Sequence, residues 1–159
     1  MKIGILSDTH DRLPAIARAL ELFRQRQVEA VVHAGDLVAP FAARSMQSWS
    51  GPLHVIYGNN DGERDGLKRT LPQIRDGPLW IETGGKRILV HHYLDWCTPH
   101  DVERADVIIT GHTHEVVNER QGDRLLLNPG ECCGWLSGRC TVAILDTNSL
   151  SAEIVEVTP

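Results

Sequence analysis

No stretch of this chain approaches the roughly 18 consecutive apolar residues that a membrane-spanning helix needs. The longest runs, such as Ile3 to Leu6 and Val107 to Ile109, are strand-sized. Behind Lys2 the first run is broken at once by Ser7-Asp8-Thr9-His10-Asp11, so no secretory signal is expected and the reading is a cytoplasmic protein without a membrane partner. Positive charge is scarce as well: 16 Lys and Arg stand against 21 Asp and Glu, a net charge of −5. The chain therefore lacks the basic stripe with which proteins coat nucleic acid, and stable nucleic-acid binding is not expected. The cysteines, Cys97, Cys132, Cys133 and Cys140, include no Cys-x-x-Cys pair, and the adjacent Cys132 and Cys133 are poor disulfide partners, so they read as reduced thiols. There is no repeat, linker or low-complexity tract. With 159 residues and 42% hydrophobic content the expectation is one domain, residues 1–159, with a substantial core.

The first half alternates. Lys2 to Leu6 predicts a strand, and Pro14 to Gln25 carries Ile16, Ala17, Leu20 and Phe23 at helical spacing, with Pro14 in a first-turn position and Asp11 or the residues after it as candidate caps. Ala30 to Ala34 predicts a second strand, Pro40 to Trp49 a second helix, and Leu53 to Tyr57 a third strand ahead of Gly58-Asn59-Asn60-Asp61-Gly62. This β-α-β-α-β order implies parallel strands whose carboxyl-end loops gather on one edge. The second half is strand-rich: a hairpin from Leu79 to Glu82 and Arg87 to Val90 about Gly84-Gly85, a short helix near Pro99 to Arg104, then Asp106 to Thr110, Glu115 to Glu119, Arg124 to Leu127, Thr141 to Asp146 and Ala152 to Val157. The fold class expected is α/β, a two-sheet β-sandwich flanked by helices.

Several of the eight histidines sit beside aspartates where apolar runs end. Asp8 and His10 follow the first strand, two residues apart, so that strand alternation would point both the same way. Asp36 follows the second strand, Asn59 the third, His91 the hairpin, and His112 and His114 the strand that begins at Asp106. Seven donors of mixed imidazole, carboxylate and amide type exceed what one ion takes, and they lack the sulfur of a structural zinc site. Two divalent metal ions account for the surplus, sharing one carboxylate and leaving open positions for water and substrate at a separation of roughly 3.5 to 4 Å. Asp36 is the natural bridge. Any one of these motifs alone reads more simply as a cap, turn or solvated loop; their joint placement at strand ends does not.

In these residues the chain resembles the calcineurin-like metallophosphoesterases, in particular their small prokaryotic phosphodiesterase branch. Asp8-Thr9-His10, Gly35-Asp36, Gly58-Asn59-Asn60-Asp61, His91 and Gly111-His112-Thr113-His114 stand in the family's order over nearly the whole chain. The resemblance implies a four-layer αββα fold, one metal held by Asp8, His10, Asp36 and His114, and a second held by Asp36, Asn59, His91 and His112. Manganese is the first choice, with nickel, iron, zinc or magnesium as alternatives. It also implies hydrolysis of a small phosphodiester or nucleotide-like substrate through in-line attack by a hydroxide bridging the two metals. Two departures stand out. Asn60 occupies the place where larger members carry the histidine taken as leaving-group acid, and an amide cannot serve as one; Asp61 is then expected to orient its neighbours by hydrogen bonds. The family's His-Gly-His reads His91-His92-Tyr93 here, which makes His92 a candidate proton donor. Asn59 is a candidate both for ligation and for donation to substrate.

Other residues receive plainer readings. His33 is expected in a hydrogen-bonded core position, and His54 and His100 at the surface. Cys132 and Cys133 read as packing residues, and Asn128-Pro129-Gly130 as a turn near the site. Trp96 and Trp135 are candidate pocket walls. With no long insertion to serve as a lid, the expectation is broad activity on small aryl phosphodiesters. The alternative is a non-catalytic interaction scaffold of the same fold, as in the retromer subunit of this family, which would have no chemical reason to keep all seven donors. A homo-oligomer is left open.

Overall fold

The computed structural model describes residues 1–159. Its first sheet takes strands β1 (Lys2–Leu6), β2 (Ala30–His33), β3 (Leu53–Val55), β9 (Thr141–Asp146) and β10 (Ser151–Glu156) in the order β10-β9-β1-β2-β3. The second takes β4 (Leu79–Thr83), β5 (Lys86–Val90), β6 (Val107–Ile109), β7 (Val116–Gln121) and β8 (Arg124–Pro129) in the order β4-β5-β6-β8-β7. In each sheet three strands run parallel, β1-β2-β3 and β5-β6-β8, and antiparallel strands complete it.

Alternation along the strands builds the layers. Ile3, Ile5, Val32, Val90, Ile109 and Leu127 turn inward and form the core between the sheets. The opposite face of the first sheet is covered by helices α1 (Leu13–Gln25), α2 (Pro40–Met46) and α3 (Arg64–Thr70), which bring Ile16, Leu20, Phe23, Met46 and Leu67 into a second core. Helix α1 lies close on the sheet because Gly4 has no side chain: a Cβ there would stand 2.7 Å from the Phe23 ring. Helix α4 (Pro99–Arg104) covers the outer face of the second sheet over Leu89 and Ile108. This is the expected helix-flanked sandwich. No helix is long and apolar enough to cross a membrane.

Two local expectations are corrected and one helix is added. Helix α2 stops at Met46 rather than Trp49, and the next residues turn. Asp11 does not cap α1; its carboxylate accepts from the Ala39 amide at 2.9 Å and ties the loop after β1 to the start of α2. Helix α3 was not anticipated, because it is short and charged and buries only Leu67.

Candidate metal centre

The carboxyl ends of β1, β2, β3, β5, β6 and β8 meet at one edge, and the loop backbones there continue the sheet pairing. The amides of Asp8, Thr9 and His10 donate to the carbonyls of Gly35, Asp36 and again Asp36 at 3.0, 3.0 and 3.1 Å. Strand alternation is not what makes Asp8 and His10 converge, since β1 ends at Leu6. Both residues are left-handed, with φ of 52° and 38°, as are Asp36 at 60°, His112 at 68° and His114 at 62°. Asp and His tolerate this region better than most residues, yet five such conformations at one edge mark backbone strain held in place by the surrounding structure.

Two sets of donors adjoin Asp36. On one side His10 Nε2 lies 3.6 Å from Asp36 Oδ2 and 3.9 Å from Asp8 Oδ1, while His114 Nε2 lies 3.4 Å from Asp8 Oδ1. On the other side His92 Nε2 lies 3.5 Å from Asp36 Oδ2 and 3.0 Å from Asn59 Oδ1, and His112 Nδ1 lies 2.7 Å from the same amide oxygen. Asp8, Asp36 and the His92 side chain are buried.

His91 and His92 turn to opposite faces of the sheet. Inward Ile88 and Val90 alternate with outward Leu89, and the same period carries His91 to the outer face and His92 into the centre. His91 lies against Gly77 and Trp96, its Nδ1 has no hydrogen-bond partner, and it makes no polar contact with Asp36 or Asn59. His92 Nδ1 donates to the Ala34 carbonyl at 2.8 Å, which leaves Nε2 facing Asn59 and Asp36. The structure thus brings His92, and not His91, against Asp36 and Asn59.

Behind these groups sits a hydrogen-bond frame. The Asp61 carboxylate accepts from the amides of Asp36, Gly58 and Val38 at 3.0, 2.6 and 2.7 Å, locking the loops after β2 and β3 together. Asn60 donates to Asp36 twice, from its amide at 2.8 Å and its side chain at 2.7 Å. Burial works against the Asp36 carboxylate, but His92 and these Asn60 bonds outweigh it and hold its pKa well below the usual range. Burial also disfavours a charged His92; the Asp36 carboxylate prevails and raises its pKa. His33 is buried with its pKa pushed down to about 3 by desolvation. Its Nδ1 accepts from the Gly35 amide at 3.2 Å, so Nε2 carries the hydrogen and donates to Thr9 Oγ1 at 3.0 Å. The Asn128 side chain donates to the Gly111 carbonyl at 2.8 Å and to Thr113 Oγ1 at 3.1 Å, bracing the loop that carries His112 and His114.

Sequence reasoning missed Glu131. This buried carboxylate accepts from His114 Nδ1 at 2.9 Å, from the Leu136 amide at 2.9 Å and from Ser137 Oγ at 2.6 Å. Burial would raise its pKa, but the Ser137, His114 and Leu136 bonds bring it down to about 2. The one available signal was chemical: an imidazole that ligates through one nitrogen needs a partner for the other. Cys132 packs in the core as expected, whereas Cys133 borders the centre, its thiol donating to Glu131 Oε2 at 3.2 Å. Its sulfur and the nitrogens of His10 and His114 lie within 4.8 Å of one another. Burial pushes the Cys133 pKa up to about 12, the state of a neutral thiol rather than a nucleophile.

The donor set fits divalent ions. His10 Nε2 is buried without a hydrogen-bond partner, and His92, whose Nδ1 is taken by the Ala34 carbonyl, turns Nε2 toward Asn59 Oδ1 at 3.0 Å and Asp36 Oδ2 at 3.5 Å. Ligands about 2.0 to 2.2 Å from a common ion stand roughly 3 to 3.5 Å apart, close to the spacings on both sides of Asp36. Carboxylate, imidazole and amide oxygen suit first-row divalent ions.

Kinship agrees with the geometry. Residues 1–150 match the profile of the Calcineurin-like phosphoesterase superfamily domain. The chain is 42% identical over 155 residues to Phosphodiesterase MJ0936 of Methanocaldococcus jannaschii, covering 92% of this chain and 93% of that protein. The solved structure of an archaeal phosphodiesterase superposes with a TM-score of 0.85 at 38% identity, covering 98% of this chain and 99% of the other. Vps29 of Entamoeba histolytica, solved with zinc, shares the fold with a TM-score of 0.71 at 19% identity, covering 98% and 99% of the two chains. The chain belongs to the calcineurin-like phosphoesterase superfamily.

Proposed function

We propose that this phosphoester hydrolase is a phosphodiesterase working with two divalent ions, one held by Asp8, His10, Asp36 and His114 and the other by Asp36, Asn59, His92 and His112. The observation that carries the reading is the position of Asp36 Oδ2, 3.6 Å from His10 Nε2 and 3.5 Å from His92 Nε2, which puts one carboxylate within reach of both donor sets. Manganese is the ion we favour. Bound divalent ions supply an activated water at neutral pH and offset the charge that grows on the phosphoryl oxygens.

The chain's own residues prepare that chemistry. Asp61 holds the Asp36 backbone in place and Asn60 helps keep its carboxylate ionised, Glu131 fixes His114 with Nε2 free, and the Ala34 carbonyl does the same for His92. Neither Asn60 nor His92 offers a proton to the departing oxygen. This arrangement favours esters whose leaving group departs as a weakly basic anion, aryl esters among them. The scaffold alternative explains none of the strain or the paired donors at this edge.

The test is hydrolysis of bis(p-nitrophenyl) phosphate and of p-nitrophenyl phosphate by metal-stripped protein with Mn, Ni, Mg or Zn restored singly. The reading predicts metal-dependent turnover with the diester ahead. Turnover that persists without metal, or a folded protein inert with every ion, contradicts it.

A further inference from the structure

Outside the sandwich core the large apolar side chains are not scattered. All six that are exposed follow shortly after a residue of the centre: Leu13 after His10, Phe41 after Asp36, Trp96 after His92, Val116 after His114, and Trp135 and Leu136 after Glu131. Single exposed hydrophobics need no explanation, but two exposed indoles that each adjoin one donor set of a polar centre do. Two are indoles, the largest flat surfaces a protein can offer. Trp135 is 60% exposed and its Nε1 donates to the His10 carbonyl at 3.5 Å, which sets it beside the first donor set. The Arg12 guanidinium stacks 4.7 Å from its ring centroid, and Arg12 is itself tied to the Cys133 carbonyl and, at 3.3 Å, to Cys140 Sγ. One face of Trp135 is thus backed by a fixed cation. Trp96, 49% exposed, lies 6.2 Å from the His92 ring and 6.4 Å from the His112 ring, beside the second donor set. Tyr93 packs edge-on against it at 5.9 Å and lies 4.3 Å from His112. His10 and His92 both approach Asp36 Oδ2, so one indole adjoins each of the two donor sets that share this carboxylate.

We infer that Trp135 and Trp96 are the walls of two subsites that hold the two substituents of a phosphodiester on either side of the reacting phosphorus, and that the substituents they select are flat aromatic rings, aryl or nucleobase. The inference rests on the phosphodiesterase reading and deepens it. A diester presents a group on each side of phosphorus and a monoester only one, so paired walls suit diesters. Ring stacking on indole is sequence-tolerant and gives breadth rather than a single fitted substrate.

The test separates binding from turnover. Metal-loaded protein is titrated with diphenyl phosphate and with dimethyl phosphate, followed by indole fluorescence and calorimetry. In parallel, kcat/KM is measured for bis(p-nitrophenyl) phosphate and for methyl p-nitrophenyl phosphate, which share a leaving group and differ only in the group retained. Diphenyl phosphate is expected to bind more tightly by roughly tenfold or more, and Trp135→Ala and Trp96→Ala each to lose about five- to tenfold of that preference, with Phe at either position restoring most of it. The preference for the bis-aryl substrate is expected to fall, through KM, in the variant whose wall holds the retained ring, whereas the other variant weakens both substrates alike. Equal affinity for diphenyl and dimethyl phosphate, or alanine variants that keep the preference, overturns the subsites. Failure of every ion to support turnover while diphenyl phosphate still binds preferentially overturns the phosphodiesterase reading and leaves the aromatic subsites standing.

Discussion

His114 donates from Nδ1 to the buried Glu131 carboxylate at 2.9 Å, and the other ring nitrogen faces Asp8 at 3.4 Å. The carboxylate sets the tautomer and the aim of the imidazole and makes it a better donor to a cation. Glu131→Gln keeps the shape and several hydrogen bonds but removes the charge. It is expected to weaken metal binding about 10- to 100-fold with the fold intact, measured by chelator competition beside circular dichroism. Unchanged affinity would reduce Glu131 to a loop anchor.

The inward and outward alternation of β5 yields a paired prediction. His92→Ala is expected to lose the second ion, with bound metal falling from about two equivalents toward one, whereas His91→Ala keeps both. Elemental analysis of equilibrated, gel-filtered protein decides between them. Loss of an ion in His91→Ala but not in His92→Ala would restore the assignment drawn from the motif alone.

That pair also shows where reading the sequence stops. The strands, the two sheets and the convergence of Asp8, Asp36, Asn59, His112 and His114 on one edge were legible, because apolar runs with period two and parallel crossovers dictate them. Which of two adjacent histidines turns inward was not. It depends on the strand's phase against the facing sheet, and a motif of two identical residues carries no phase. Asp8 and His10 were placed together for the wrong reason: left-handed turns, not alternation, bring them in. Chemistry called for a partner to His114, but that the partner is Glu131, and that Asn60 bonds to Asp36, could not be read because these contacts join segments apart in the chain.

Gly58 packs against the carboxylate at the heart of the centre. A Cβ there would overlap Asp36 Oδ1 and stand 2.5 Å from the Asp36 amide. Gly58→Ala must therefore displace Asp36 or the loop after β3, and is expected to cost about 1 to 3 kcal/mol of stability and most of the metal affinity. Denaturant unfolding of the metal-free variant and chelator competition measure the two separately. A variant with wild-type values in both would show that the loops are not held against each other as described.

Acid should destabilise the protein through His33. In the folded chain burial holds its pKa down to about 3, while the unfolded chain takes up a proton near pH ~6.5. The unfolded state then binds more protons between these values, so the contribution is complete above pH ~6.5 and is lost as pH falls toward 3, with a limiting slope of about 1.4 kcal/mol per pH unit. Urea unfolding of metal-free protein from pH 7 to pH 4 should show this decline, and His33→Gln should flatten it by up to one proton. An identical slope in the variant would contradict the neutral, buried state.

The central claim is that one carboxylate, Asp36, serves both donor sets. The most direct measurement is the metal content and diesterase activity of Asp36→Asn against wild type, each stripped and reloaded with manganese. The account predicts a folded protein that loses tight binding of both ions together and at least about 10³-fold in kcat/KM. A variant that loses a single ion, or keeps both with substantial turnover, would contradict a shared Asp36.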